Sequence, residues 1–280
     1  MTSPQIPAER SLKWPNGAHS CASITIDFDA ESADMAAGAN GEFWGRYSHG
    51  RYAVETGAWD ALRILGRVGI KATFFIPAWD ATRHPALVQR IAGEGHEIAA
   101  HGLKHEDHSR LGTTEMDTLR RAHLQLAEVT GRNPDGWRAP HGLMSDRTLG
   151  LLTALGYSYD ASFVDSDLPC VVDANGSQIV EIPQFPFLDD RIFYEKYMPP
   201  ADVVRYWQEE LEAIHERGLF FNLKIHVRGD YGAVRGARAV YLERFLAELC
   251  QLPGIWIARQ VDIARWVKGG GTVGALCARM

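Results

Sequence analysis

Two spacings of apolar residues alternate along the chain. Short continuous apolar runs, stopped by acidic residues, glycine or proline, predict buried strands. The segments between them place apolar residues at i, i+3 and i+4, which predicts helices. The run CASITIDFD at 21–29 predicts a strand that ends in acid. Residues 30–52, which include GEFWGRYSHGRY, read as a long loop, and loops of that length inside a compact domain are usually functional. Residues 53–68 have helical spacing, with Gly69 placed as the C-cap. Strand 70–76 (IKATFFI) stops at Pro77, a short helix is expected over 85–93, and strand 96–100 runs into His101. The alternation continues with helix 114–130, strand 136–139, and helix 145–155 between an N-capping Ser145 and Gly156. Strands 157–161 and 179–182, helix 200–217, the strongly apolar strand 219–227, helix 237–251, strand 255–257 and helix 261–267 complete it.

Strands alternating with helices imply parallel strands joined by crossover helices, an α/β fold. Seven to eight strands fit either an open doubly wound sheet or a closed barrel, and periodicity alone does not choose. No internal repeat or linker divides the chain. The expected organisation is an N-terminal arm over 1–20, one domain over 21–268, and a tail over 269–280 that opens with the glycine run 269–271.

Composition narrows the function. A chain of 280 residues, 46% hydrophobic, buries a sizeable core, which excludes disorder for most of it. A net charge of −6 without a run of Lys or Arg argues against nucleic-acid or membrane partners. No apolar segment approaches the ~18 residues of a membrane span. The polar start MTSPQIPAERSLKWPNG lacks the charged-then-apolar pattern of a signal peptide, so a cytoplasmic location is expected. Cys21, Cys170, Cys250 and Cys277 are far apart and form no C-x-x-C pair, which predicts reduced thiols rather than a structural zinc or a disulfide framework.

The candidate chemistry is positional. Asp27 and Asp29 end the first strand, His101 ends the third, Arg138 a later short one and His226 a late one. In parallel α/β folds the C-terminal strand ends converge on one face, which carries the active site. The i, i+2 spacing of Asp27 and Asp29 on a strand sends both carboxylates to one side, where they repel unless a cation or proton intervenes. The bland alternative is a solvated strand end. His101 and His105, at i, i+4 on a helical turn, could grip one ion; otherwise they are surface histidines of a His-rich loop. A carboxylate with two imidazoles leaves coordination positions open, the composition of a catalytic rather than a closed structural site. The second carboxylate then has a role as general base. Arg138 in WRAPHG can pair with a carboxylate, or is a surface residue before a turn. His226, in so apolar a strand, is either a satisfied core residue or a titrating catalyst.

Taken in order, these segments resemble the polysaccharide deacetylase family, the NodB-homology fold, over most of residues 22–267. The carriers are Ile24-Thr25-Ile26-Asp27-Phe28-Asp29, the pair in His101-Gly102-Leu103-Lys104-His105, the R-x-P-x-G segment Arg138-Ala139-Pro140-His141-Gly142, and Leu223-Lys224-Ile225-His226. The resemblance implies a distorted (β/α) barrel of about seven parallel strands. It implies a divalent metal, zinc first and Co2+, Ni2+ or Mn2+ as alternatives, held by Asp29, His101 and His105. It makes Asp27 the general base, held by Arg138, and His226 the acid that protonates the leaving amine. Three departures stand out. Phe28 separates the two Asp residues that are adjacent in usual members. Gly102 stands where Ser or Thr usually follows the first histidine. No segment clearly matches the fourth motif, with Asp160 in SYDASF the nearest candidate to orient His226 and Asp167 the second.

The D-x-D form, the missing export signal and the segments VEIP and LDD within 180–190 resemble a divergent branch. It includes intracellular peptidoglycan-deacetylase-like proteins and allantoinase- or imidase-like relatives, so a homo-oligomer, dimer or tetramer, is expected. The expected activity is metal-dependent hydrolysis of non-peptide C–N bonds, removing acetyl groups from N-acetylated sugars. The alternatives are a hydrolase of a small cyclic amide, ureide or imide, and a non-catalytic carbohydrate-binding relative. Candidate substrate contacts are Trp44, Tyr47, Pro140, His141, Gly142 and Asp160. The aromatic loop with Phe43 could stack on a sugar or close over a small ring; its bland reading is packing at a subunit contact.

Overall fold

A computed structural model describes residues 14–174 and 176–271. Its centre is β1 (Ser20–Asp27), buried at every position, as befits a parallel strand covered on both faces. β2 (Thr73–Ile76), β3 (Glu97–Ala100), β4 (Gly136–Trp137) and β5 (Tyr159–Asp160) follow, then β6 (Cys170–Ala174), β7 (Ser177–Glu181), β8 (Phe220–His226) and β9 (Ile255–Ile257). The sheet order is β6-β7-β5-β4-β3-β2-β1-β8. Seven of these strands run parallel, from β7 to β8, and β6 joins β7 antiparallel. β9 pairs parallel with the first residues of β1, on the edge that β2 takes further along.

The segment after β7 returns to β8. Asp189 bridges Lys224 in parallel, and Asn222 Nδ2 donates to the Pro183 carbonyl at 2.8 Å. Closure by this irregular segment rather than by a full ladder makes an α/β barrel that is distorted, as expected.

Most helices sit where apolar spacing puts them; Pro85–Gly93 and Ala237–Gln251 agree end to end. The differences lie where that signal is weak. The expected loop 30–52 contains the helical segments Glu31–Ala36, Gly45–Tyr47 and His49–Tyr52. The last continues through a π-helical stretch, Ala53–Gly57, into Ala58–Val68. That rod packs backbone to backbone: a Cβ on Gly50 would lie 2.3 Å from the Ala30 carbonyl oxygen, and one on Gly57 1.9 Å from that of Val227. Glycine at both places lets one helix brace the segments after β1 and β8.

Of the expected arm, residues 1–13 lie outside the described residues. Trp14 is buried, stacks on Trp266 at 5.0 Å and donates its indole N–H to the Gly218 carbonyl. Of the expected tail, 272–280 lie outside the described residues. Cys21 and Cys250 are free thiols, but Cys170 is disulfide-bonded, which corrects the expectation of reduced thiols at that position. Among the described residues, no helix is long and apolar enough to cross a membrane.

Candidate active site

The C-terminal strand ends bring Asp27, Asp29, His101, His105, Arg138 and His226 together, all buried. β1 ends at Asp27, so Asp29 is not on the strand as its spacing suggested. The chain instead turns through a left-handed Asp29 (φ 35°), a conformation costing a non-glycine residue about 1–3 kcal/mol. Nor do the two histidines share a helical turn. Gly102 (φ 73°) and His105 (φ 61°) fold residues 101–105 into a tight turn that brings His105 back beside His101, with ring centroids 5.1 Å apart. Glu106 caps this turn, accepting from the Leu103 and Lys104 amides. A Cβ on Gly102 would lie 3.0 Å from Glu106 Oε2 and 3.1 Å from Pro140 Cγ, so glycine there suits both the angle and the space.

The two carboxylates have divided partners. Asp27 Oδ1 accepts from Arg138 Nη1 at 2.6 Å, and its Oδ2 faces His226 Nε2 at 4.0 Å. Asp29 Oδ1 faces His105 Nε2 at 3.2 Å and His101 Nε2 at 3.4 Å, and its Oδ2 faces His226 Nε2 at 3.7 Å. Burial alone would raise both pKa values. The Arg138 guanidinium, with help from His101, overrides it and holds Asp27 at about 2. The His105 and His101 imidazoles likewise hold Asp29 well below the usual carboxylate range.

Arg138 is itself fixed. Its Nε donates to the Ala161 carbonyl, Nη1 also reaches Thr25 Oγ1, and the guanidinium lies 3.9 Å over the Phe75 ring. His101 Nδ1 donates to the Arg138 carbonyl at 2.9 Å, which turns its Nε2 lone pair toward Asp29, the arrangement usual for a metal-ligating imidazole. Asp29 Oδ1, His101 and His105 offer ligand atoms within 4.8 Å of one another. Asp29 Oδ1 and His105 Nδ1 are buried with no hydrogen-bond partner. One carboxylate and two imidazoles, with an oxygen left unsatisfied between them, fit a divalent cation.

The residue that orients His226 is Asp190, in place of the expected Asp160 or Asp167. His226 Nδ1 donates to Asp190 Oδ1 at 2.6 Å, and Asp190 Oδ2 accepts from the His226 and Ala233 amides. Burial disfavours the imidazolium, but the Asp190 charge and hydrogen bond outweigh it and raise the His226 pKa to about 9. The Tyr231 ring stands roughly perpendicular to the imidazole, with ring centroids 4.9 Å apart. In the sequence Asp190 is half of an acidic pair after a proline-rich stretch, with nothing in its local pattern to tie it to His226. Asp189 is engaged by Lys224 Nζ at 2.7 Å, so the group Asp189, Asp190 and His226 has its lone pairs in use.

Asp160 is fully buried and accepts from Ser162 Oγ, which in turn accepts from the Ala139 amide. Through Ser162 it supports the segment that follows Arg138. Pro140 is buried, and His141 (φ 56°) and Gly142 (φ 71°) make the exposed turn beyond it. The His141 ring stands edge-on to His105 at 4.6 Å, so it borders the cluster. Trp44 is 71% exposed beside the Arg51 guanidinium, and Tyr47 accepts from Arg46. No described hydrogen bond, ion pair or ring contact joins either of them to the cluster.

The family model for polysaccharide deacetylase matches residues 46–159, a stretch that includes both histidines and Arg138. The peptidoglycan deacetylase-like protein FGM2 of Gibberella zeae is 33% identical over 195 residues, 60% of this chain and 58% of its own length. The chain's match thus spans under two thirds of that relative. The peptidoglycan deacetylase of Helicobacter pylori is 26% identical over 69% of this chain and 80% of its own. Among solved structures, the Puue allantoinase shares the fold, with a TM-score of 0.83 at 23% identity over 98% of this chain and all of the other. A polysaccharide deacetylase homologue from Mycobacterium smegmatis superposes with a TM-score of 0.87 at 33% identity, over 95% of this chain and 96% of its own. With a third of its residues shared across almost the whole of that homologue, the chain belongs to the polysaccharide deacetylase family, hydrolases of carbon–nitrogen bonds other than peptide bonds.

Proposed function

We propose that this protein is a divalent-cation-dependent deacetylase of N-acetylated sugars, with zinc as the ion. The observation that carries the reading is the division of labour between two buried carboxylates: Asp27 is tied to a guanidinium, while Asp29 faces two imidazoles with an unsatisfied oxygen. Asp29, His101 and His105 would hold the cation. When bound, such an ion polarises a carbonyl oxygen and acidifies water, with a pKa near 7 at zinc.

The remaining residues handle protons. Asp27, kept ionised by Arg138, accepts the proton of the attacking water through Oδ2, the oxygen that Arg138 leaves free. His226, kept charged by Asp190, donates a proton from Nε2 to the leaving nitrogen, and the C–N bond breaks. His141 borders the cluster, and Trp44 offers an exposed ring on which a sugar can stack. The peptidoglycan deacetylase names of two relatives favour an acetylated glycan.

The test is a hydrolysis screen of chito-oligosaccharides against hydantoins, succinimide-like imides and allantoin, with and without chelator. Acetate release from the oligosaccharides, stopped by chelator and restored by Zn2+, is the expected result. Ring opening without acetate release replaces the glycan with a small cyclic amide. No hydrolysis of either class sinks the enzymatic reading.

A further inference from the structure

The turn behind His226 carries a buried cation that the reaction does not use. Arg228 is 5% exposed, and its guanidinium divides its bonds between the segment after β1 and Asp230 on its own turn. Nη1 donates to the Asp29 carbonyl at 3.0 Å and to that of Ala30 at 3.3 Å. Nη2 donates to Asp34 Oδ1 at 2.6 Å, and Nε to Asp230 Oδ1 at 3.1 Å. The other oxygen of Asp34 accepts from the Gly50 amide, so the clamp reaches the helix that braces both strand ends.

Two features show that this contact is built around Asp29. The Asp29 backbone is left-handed, a conformation that costs a non-glycine residue free energy and that its surroundings must hold. The group that holds the carbonyl of that strained residue is Arg228. The turn delivering Arg228 is equally constrained. A Cβ on Gly232 would lie 2.4 Å from the Arg228 carbonyl oxygen and 2.6 Å from that of His226, so only glycine lets residues 226–232 fold back this tightly. Tyr231, on the same turn, packs its ring on His226 and lies 5.4 Å from the Arg228 guanidinium.

We propose that Arg228 is a positioning residue for the cation site: by clamping the left-handed backbone of Asp29 to the turn behind His226, it sets where the Asp29 carboxylate stands relative to His101 and His105. This rests on the reading of those three residues as the cation site. Arg228 itself contacts none of their ligand atoms. It ties the ligand just after β1 to the acid at the end of β8, so the two halves of the site keep one spacing.

The experiment titrates metal-stripped full-length protein with Zn2+ and with Co2+, and follows the visible spectrum of the Co2+ complex. It compares wild type, Arg228→Lys, Arg228→Gln and the double variant Asp34→Asn/Arg228→Gln, which removes the buried pair together and leaves no unpaired charge between those two positions. Circular dichroism and melting of the metal-free forms report folding separately. The expected result is a loss of cation affinity of about 10–100-fold in folded Arg228→Gln or the double variant, as for other residues that orient a ligand, with a smaller loss in Arg228→Lys. An altered Co2+ spectrum should accompany it. A merely structural clamp would lower the melting temperature and leave affinity and spectrum as in wild type; that result, in any of the folded variants, overturns the proposal alone. Wild-type protein that takes up neither ion overturns the cation site as well.

Discussion

β3 has a buried titratable group at each end, and the two are satisfied in opposite ways. At its start, Glu97 accepts from Thr73 Oγ1 at 2.7 Å, Tyr159 OH at 2.7 Å and the Val261 amide at 2.9 Å. All three donors are uncharged, and burial pushes the Glu97 carboxyl pKa upward. Just past the other end, His101 joins a cluster of opposite charges in which Asp29 Oδ1, His105 Nδ1 and Arg138 Nη2 have no partner. Leaving buried polar atoms unpaired costs about 1–3 kcal/mol each. A polar cluster with its donors and acceptors matched closes the floor of the barrel. One with ionised groups and spare lone pairs is poised to bind something, and it lies at the end of the sheet where parallel folds place their chemistry.

The sharpest way to break this contrast is to remove the spare lone pairs. Asp29→Ala should lose both cation uptake and turnover to background, measured by metal analysis after dialysis and by acetate release, while the metal-free protein stays folded. A variant that still binds the ion with wild-type affinity would show that the unsatisfied oxygen is incidental. Asp27→Asn keeps the shape but removes the base. Turnover should fall by about 10²–10⁴-fold, the contribution typical of a positioned base, with cation affinity close to wild type. If cation and turnover disappear together, the division of labour between the two carboxylates fails.

Much of this upper end was legible in the sequence because it depends on strand order. Asp27, Arg138 and His226 end or follow strands announced by apolar runs, and parallel topology brings such ends together whatever their distance along the chain. The backbone geometry between them was not legible. The i, i+4 histidines suggested a helical turn, whereas Gly102 and a left-handed His105 make a different one, with the same residues facing one point. Asp190 was overlooked because its helix, Asp190–Tyr194, is too short for periodicity to reveal. Its contact with His226 arises only when the segment after β7 closes the barrel on β8. The lower end was missed for the same reason. Glu97 looks like an ordinary strand residue until Tyr159 and Val261, 62 and 164 positions away, converge on it.

A milder change within the upper end is Asp190→Asn. The amide can still contact His226 but no longer stabilises the imidazolium. Turnover that needs the charged form falls as pH rises through its pKa, about 9 in this setting. The variant should move that basic limb to lower pH and cost about 10²-fold in kcat, at the lower edge of what an acid contributes. An unmoved limb in a pH–rate profile would mean that another group is the acid.

The lower end should respond in stability and not in chemistry. Glu97→Ala leaves two hydroxyls and an amide without their acceptor and should destabilise the fold by about 3 kcal/mol or more, with cation affinity unchanged. Glu97→Gln keeps an acceptor and should cost about 1 kcal/mol. The pH dependence has a definite sign. The folded carboxyl has a pKa above its unfolded value of 4.5, so its contribution is fully present below that value and is lost as pH rises through the raised folded pKa. Wild-type melting temperature should therefore fall over that window, and Glu97→Gln should remove this part of the slope. The Asp27 and Asp29 pair has lowered folded pKa values and acts in the opposite sense, losing its contribution as pH falls. A slope that persists unchanged in Glu97→Gln would mean that Glu97 is ionised like its counterparts above, and the contrast between the two ends of β3 would reduce to the partners alone.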